Sequence, residues 1–254
     1  MKIWNHTFLL QNLVLKDFRI RYRNMSLGVL WSVVNPLVMM GVLTFIFTRV
    51  FPNRTAPNFA VFVLCALVPF NFYSLSLNAG TTSLLENQSL IKRVRCPREI
   101  FPIAAVLSNC LHFLIQIGLL IIFVFAFGYS VNRYWLWLPV LWITEVVFMC
   151  GLVLSTSVLD IYYRDIRYLV EASSVVMFWA VPIFYSFSVV PARYKLLYLL
   201  NPISVVAMAG RSVLMDGKSP TAEMLFPFFV VSFAFLLIGF AVFARLKRDM
   251  ADYL

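Results

Sequence analysis

Few residues in this sequence have the types and spacing that chemistry needs. The only histidines are His6 and His112, far apart in the chain, and neither an H-E-x-x-H nor a G-x-S-x-G run occurs. Cys65, Cys96, Cys110 and Cys150 show no C-x-x-C or other metal-ligand spacing and read as packed residues, so no metal site is assigned. Gly217-Lys218-Ser219 matches the last three residues of a phosphate-binding loop, yet Ser212 stands where that loop needs its first glycine, and no strand precedes it. No catalytic residue is assigned, and any ATP hydrolysis would have to come from a separate chain. Two ionisable residues lie inside apolar runs. His112 reads as an interhelical hydrogen-bond partner. Glu145 lies where an unpaired charge is expensive, and reads as a proton or substrate site or as a protonated or paired packing residue.

Aromatic residues are the more abundant resource, at 17% of the chain. They are not confined to the ends of apolar runs, where membrane-interface belts lie. Phe70, Phe72 and Tyr73 cluster in one run, and Phe178, Trp179, Phe184 and Tyr185 in another. Such faces stack on the C–H faces of sugar rings, and Tyr and Trp add a hydrogen-bonding tip. Together with Trp31 they are the candidate lining of a substrate path, the alternative being packing and lipid contact.

The elements that must position these residues are membrane helices. Of 254 residues, 62% are apolar and 13% charged, a balance that water cannot accommodate. Apolar runs of about twenty residues, each long enough to cross a bilayer as a helix, account for most of the chain. The reading is a single all-α integral membrane domain over residues 1–254. Six spans are predicted, near residues 30–51, 59–84, 103–127, 134–158, 168–187 and 224–244. The net charge of +10 does not form one solvated face, which argues against nucleic acid; basic residues sit in short connections, where they set orientation and meet anionic lipid. The N-terminus lacks the pattern of a cleaved signal peptide.

Three further segments flank these spans. Residues 3–23 place Trp4, Phe8, Leu15, Phe18 and Tyr22 in one helical sector and Asn5, Asn12, Lys16, Arg19 and Arg23 in the next, as in a helix lying in the membrane interface; Leu9, Leu13 and Ile20 spoil a clean stripe. Residues 86–102 interrupt the apolar pattern with Lys92, Arg93, Arg95 and Arg98 beside Leu90, Ile91 and Val94, and Pro97 is expected to end a short helix there. Residues 188–221 contain an apolar stretch broken by Asn201-Pro202 and carrying Arg211. Two short helices dipping into the membrane fit it better than a seventh span.

The order of motifs then becomes specific. Arg21-Tyr22-Arg23, Ser26-Leu27-Gly28-Val29-Leu30-Trp31 and Asn35-Pro36-Leu37 resemble the approach to the first span in ABC-2-type permeases of O-antigen and teichoic-acid exporters. Tyr163-Arg164-Asp165-Ile166 looks like that family's connection after the fourth span, and Asn201-Pro202 falls where its outer loop turns. The resemblance covers essentially the whole chain. It implies a homodimer in the bacterial inner membrane, driven by two copies of a separate ATP-binding subunit that holds ATP and magnesium, and exporting a lipid-linked polysaccharide. It also implies roles by position. Residues 3–23 become the interfacial helix, and residues 86–102 the loop whose helix (Leu90, Ile91, Lys92, Arg93, Val94, Arg95, Arg98) docks on the ATPase. Asn201, Pro202 and Arg211 belong to an outer gate. A capsule or teichoic-acid exporter is the alternative within the class, and an integral membrane transferase acting on lipid-linked sugars the alternative outside it.

Charge fixes the orientation. With six spans, fourteen of the 21 Lys and Arg residues fall on the side of both termini and seven on the other, so both termini are expected in the cytoplasm. Single cysteines at Ser219 and Asp249, in a background lacking the native cysteines, should be labelled from outside at the first position and not at the second. Equal labelling of both would favour a seventh span.

Overall fold

The structure, a computed structural model, describes residues 3–23, 28–51, 58–93, 96–247 and 250. Ser26 and Leu27 of the approach motif and Val94 and Arg95 of the basic segment lie outside the described residues, as do the side chains of Trp4, Asn5 and Tyr22. The described chain is helical throughout its regular structure. In order, the helices are α1 (Ile3–Tyr22), α2 (Trp31–Phe45), α3 (Phe59–Glu86), α4 (Gln88–Arg93), α5 (Ile100–Ala126), α6 (Trp137–Tyr162), α7 (Ile166–Ala180), α8 (Lys195–Leu199), α9 (Pro202–Leu214) and α10 (Ala222–Leu246).

Among the described residues five elements are long and apolar enough to cross a membrane: Gly28–Val50, Phe59–Glu86, Ile100–Ala126, Arg133–Tyr162 and Ala222–Leu246. The predicted fifth span is shorter than expected. Its helix, α7, has 15 residues, about 22 Å at 1.5 Å per residue, against a hydrocarbon core of about 30 Å. Irregular backbone from Val181 carries the chain onward. The apolar stretch broken by Asn201-Pro202 forms two helical pieces, Ala192–Leu199 and Pro202–Leu214, bent by 98°.

Contacts between the helix ends show how the chain crosses. At one end, Leu13 of α1, Leu84 of α3, Phe101 and Ala104 of α5, Val158 and Ile161 of α6, Phe243 of α10 and Met250 are buried in one apolar cluster, with Leu90 and Ile91 of α4 packed on it. The C-termini of α6 and α10 therefore lie together. The chain from the end of α6 to the start of α10 must therefore cross the bundle an odd number of times, and α7 is that crossing. Its far end, with Pro182 and Ile183, meets Phe62 near the start of α3. The bent pair starts and finishes at that far end, where Asn132 of the α5–α6 connection donates to the Val213 carbonyl at 2.9 Å.

The α1 stripe has a different face inward. Leu9, Leu10, Leu13 and Val14 pack on the end cluster, whereas Phe8 and Leu15 are exposed. Of the residues that spoil the amphipathic pattern, Leu9 and Leu13 are thus protein contacts while Ile20 is exposed, and Phe8 and Leu15 of the predicted apolar sector face outward. Phe18 extends the contact along α5, its ring centroid 5.0 Å from that of His112.

Close packing in the bundle rests on glycine where side chains would collide. A Cβ on Gly239 of α10 would overlap the Gly151 carbonyl of α6, one on Gly151 would overlap the α10 backbone at Phe235 and Leu236, and one on Gly80 of α3 would overlap Val153 of α6. Without a large hydrophobic driving force between helices in lipid, such backbone approach is a main source of association. Gly151→Val should destabilise the protein by about 1–3 kcal/mol through overpacking. Gly118→Val, at a glycine with open space around its Cβ, should change it little. Thermal unfolding of the purified variants in detergent checks both.

Candidate functional site

The far end of the bundle is built around the termination of α7. Proline disfavours helical geometry in the residue before it, and Val181, ahead of Pro182, is extended at φ −76° and ψ 137°. The carbonyls of Pro182 and Ile183 consequently have no helical partner, at a depth where backbone acceptors need one. Arg211 of α9 supplies it. Its Nη1 donates to the Pro182 carbonyl at 2.6 Å and its Nη2 to the Ile183 carbonyl at 2.7 Å. Its Nε donates to the Phe62 carbonyl at 2.9 Å. The Phe62 ring lies beneath the guanidinium, 3.4 Å from its centroid to Cζ. Arg211 is buried. One side chain thus ties α3, the extended segment and α9 together.

Asn201 and Pro202 begin α9 rather than merely interrupting an apolar run. The Asn201 side chain accepts from the Ile203 N–H at 3.1 Å as an N-cap, and Pro202 occupies the first helical turn. Asn201 Nδ2 also points at the Met177 sulfur of α7, 3.6 Å away. Beneath this corner lies an apolar cavity of about 360 Å³ bounded by Tyr73, Val170, Met177, Leu197, Pro202 and Phe235.

Most of the sequence-predicted aromatics meet here. Phe70 packs edge-on against Phe178 at 5.4 Å. Phe184 contacts Phe178 at 6.2 Å, Trp179 at 5.3 Å and Tyr185 at 5.3 Å. Tyr73 lies 5.9 Å from Phe70. Phe72 points elsewhere and stacks on Phe113 of α5 at 4.6 Å. Trp31 is apart from the cluster, half-exposed in the first turn of α2. Phe70, Phe72, Tyr73 and Phe184 are buried within this single chain, while Trp179 is 62% exposed and Tyr185 is partly so. Sequence reading missed Phe47, which stacks on Phe184 at 4.9 Å, and Tyr198, whose hydroxyl is 2.9 Å from that of Tyr185. Only their positions in apolar runs marked them, and many other aromatics share that property.

The remaining singled-out residues are dispersed. Glu145 is completely buried in α6, and neither carboxylate oxygen has a hydrogen-bond donor. His112 is buried on α5 against Phe18 of α1. Among the described residues no group of three or more His, Cys, Asp and Glu side chains is arranged to hold a metal. At the near end, α4 is helical over Gln88–Arg93, with Leu90 and Ile91 half-buried on the cluster and Lys92 and Arg93 exposed. Pro97 stands in the turn that opens α5, its carbonyl accepting from the Ile100 N–H at 3.2 Å. Arg98 donates to the Lys247 carbonyl at 3.2 Å. The connection between α6 and α7 is braced by Arg167, whose Nη2 is 3.3 Å from Oδ2 of the buried Asp160.

Comparison with known proteins places this geometry in context. A family profile described as ABC-2 type transporter matches residues 9–215. Over 240 residues the chain is 30% identical to a protein named O-antigen export system permease protein RfbA from Klebsiella pneumoniae, covering 94% of this chain and 92% of the relative. It is 25% identical over 253 residues to a protein of the same name from Myxococcus xanthus, covering 99% and 97%. A polysialic acid transport protein KpsM from Escherichia coli is 24% identical over 243 residues, covering 94% and 93%.

The Arg211 contacts make a direct test of the far-end architecture. Arg211→Met leaves three carbonyls without their donor and should cost on the order of 3 kcal/mol or more, measured as a lowered thermal midpoint in detergent. Arg211→Lys should recover only part of the loss, because one ammonium cannot span three carbonyls in the planar fork geometry of a guanidinium.

Proposed function

From the premise that the chain belongs to the ABC-2 type transporter family, we propose that it is the permease subunit of an ATP-driven exporter that moves a lipid-linked polysaccharide of the O-antigen type out of the cytoplasm. Relatives named for O-antigen export and for polysialic acid transport, both matched over nearly their full lengths, support polysaccharide as the cargo class. Capsule or teichoic-acid export is the same activity on a different glycan.

On this reading the permease works as a homodimer in the bacterial inner membrane, and two copies of an ABC subunit bind ATP and magnesium. The end that carries α1, α4 and the C-terminus of α10 faces the cytoplasm, in keeping with the excess of basic residues there. α1 is the interfacial helix, braced on α5 by one apolar face and open to lipid on another. The bent α8–α9 pair is the outer gate, with Asn201 and Pro202 at its corner and Arg211 at its root. Trp179 and Tyr185 are the path residues of the aromatic cluster, since they reach the surface of the chain. Phe70, Tyr73, Phe178 and Phe184 form the wall behind them.

The observation that carries the reading is the construction of α4. Leu90 and Ile91 anchor it on the apolar cluster that joins the ends of α1, α3, α5, α6 and α10, while Lys92 and Arg93 project outward. A push on the exposed side of this helix is delivered to the whole near end at once, as energy coupling to a separate ATPase demands. The exposed cations supply the contact and the apolar pair the leverage.

Replacing Lys92 and Arg93 together by Glu should remove co-purification of the ATP-binding subunit, or cut export at least about tenfold while hydrolysis continues. The variant should still insert and self-associate, because both side chains are exposed. Wild-type export by this variant would place the coupling contact elsewhere. A wild-type protein that binds no ATP-binding subunit would overturn the exporter reading itself.

A further inference from the structure

We propose that Arg98, Glu99 and Lys247 form a latch that makes α10 the rod carrying ATPase-driven movement from the near end to the α8–α9 corner. The inference rests on the exporter reading above and assigns positioning roles within it.

The last carbonyls of any helix lack intrahelical partners. In α10 two of those acceptors are taken by other elements. The Leu246 carbonyl accepts from the hydroxyl of Tyr162, the last residue of α6, at 2.6 Å. The Lys247 carbonyl accepts from Arg98 Nη1 at 3.2 Å. Lys247 Nζ lies 2.6 Å from Glu99 Oε1. The two residues that enter α5 from the basic segment therefore grip the end of a helix that lies about 150 positions away in sequence and has no covalent link to them. Cationic groups beside a helix C-terminus are also favoured by its dipole.

Movement delivered to α10 has somewhere to go. Along its length the helix is keyed to α6 by the backbone contact at Gly151 and Gly239, so the two shift together. At its far end, Leu225 and Phe228 pack with Val205, Val206 and Ala209 of α9. Farther along, Phe235 of α10 bounds the apolar cavity whose other walls include Leu197 of α8 and Pro202. The corner of the bent pair thus stands over unfilled space and against a rod whose other end is held beside the coupling segment. With 25 residues, α10 spans about 37 Å.

The latch itself is weak. The Lys247 and Glu99 side chains are 44% and 21% exposed, and ion pairs of this kind contribute little to stability. It sets the position of α10 relative to the coupling segment rather than holding the fold together, which separates it from a structural role in experiment.

The test compares wild type, Glu99→Lys, Lys247→Glu and the double exchange, each assembled with the ATP-binding subunit in proteoliposomes. The readout is polysaccharide moved per ATP hydrolysed. Each single reversal should lower that ratio about three- to fivefold, with thermal stability and subunit co-purification unchanged, and the double exchange should restore most of it. Singles that keep the wild-type ratio, or a double exchange no better than either single, would overturn the latch. Cysteines at Glu99 and Lys247 add an arm that needs no partner: a bifunctional maleimide whose arm replaces the reach of the two long side chains should join them in native membranes, and failure to do so would remove the contact whatever the cargo. Loss of export already in wild type with its ATPase would instead count against the exporter reading, and with it the latch's role.

Discussion

Solvation of one cation organises the far end of this protein. Moving a guanidinium out of water costs several kcal/mol after relaxation, and the partners that Arg211 meets are main-chain carbonyls and a phenyl ring rather than a carboxylate. The carbonyls are available for a local reason. Pro182 halts α7 at Ala180, and the two residues after the break point their oxygens inward without helical donors. Cation and acceptors are each expensive alone at that depth, and each removes the other's cost. The pairing requires that α7 finish early, that residues 181–184 turn toward the start of α3 without helix, and that α9 bring its last turn back to the same place. Non-helical backbone in a membrane persists where protein encloses it, and Val181, Pro182, Ile183 and Phe184 are all buried.

The near end uses a different principle. There the ends of α1, α3, α5, α6 and α10 share apolar packing, and the polar contacts sit on its rim, between Tyr162, Arg98, Glu99 and the end of α10. Apolar packing is dense and poorly compressible, so this end moves as a block, whereas the far end consists of short pieces meeting at a bend of 98° over a cavity. A stiff end joined by long helices to a jointed end is a division of labour that a transporter can exploit. The stiffness lies where a partner can push, and the joint lies where a passage can open.

How much of this was legible in the sequence depends on which force sets each feature. The long helices follow from apolar run length, because in hydrocarbon a backbone must satisfy its own hydrogen bonds; five of the six predicted spans coincide with long helical elements, the first as Gly28–Val50. The break at Asn201-Pro202 was also readable, since capping and proline geometry are local. The early end of α7 was less so: Pro182 was visible, but Val181 to Phe187 remain apolar, and run length alone extends the span through them. The carbonyl cage is a long-range event, joining positions 149 apart, and no periodicity encodes it. Among the aromatics, sequence identified Phe70, Phe178, Phe184 and Tyr185 as a group that does assemble. It could not tell Phe70 from Phe72, because the difference lies in which neighbour each meets two positions apart on one helix.

The burial of that aromatic group bears on where a glycan could travel. Phe70, Phe72, Tyr73 and Phe184 are enclosed within one chain and packed against rings on other helices, so a path along their faces would require the bundle to come apart. α7, by contrast, leaves a continuous stripe uncovered, with Tyr168, Val175, Val176 and Trp179 each more than three-fifths exposed and Glu171 among them. Its spacing follows the helical period, so it is one face rather than scattered exposure. The opposite face, with Val170 and Ser174, is buried. Within the proposed homodimer, such a face supplies what the buried cluster cannot: tyrosine, tryptophan and a carboxylate in line along a helix, open at the surface of one chain and backed by a rigid aromatic wall.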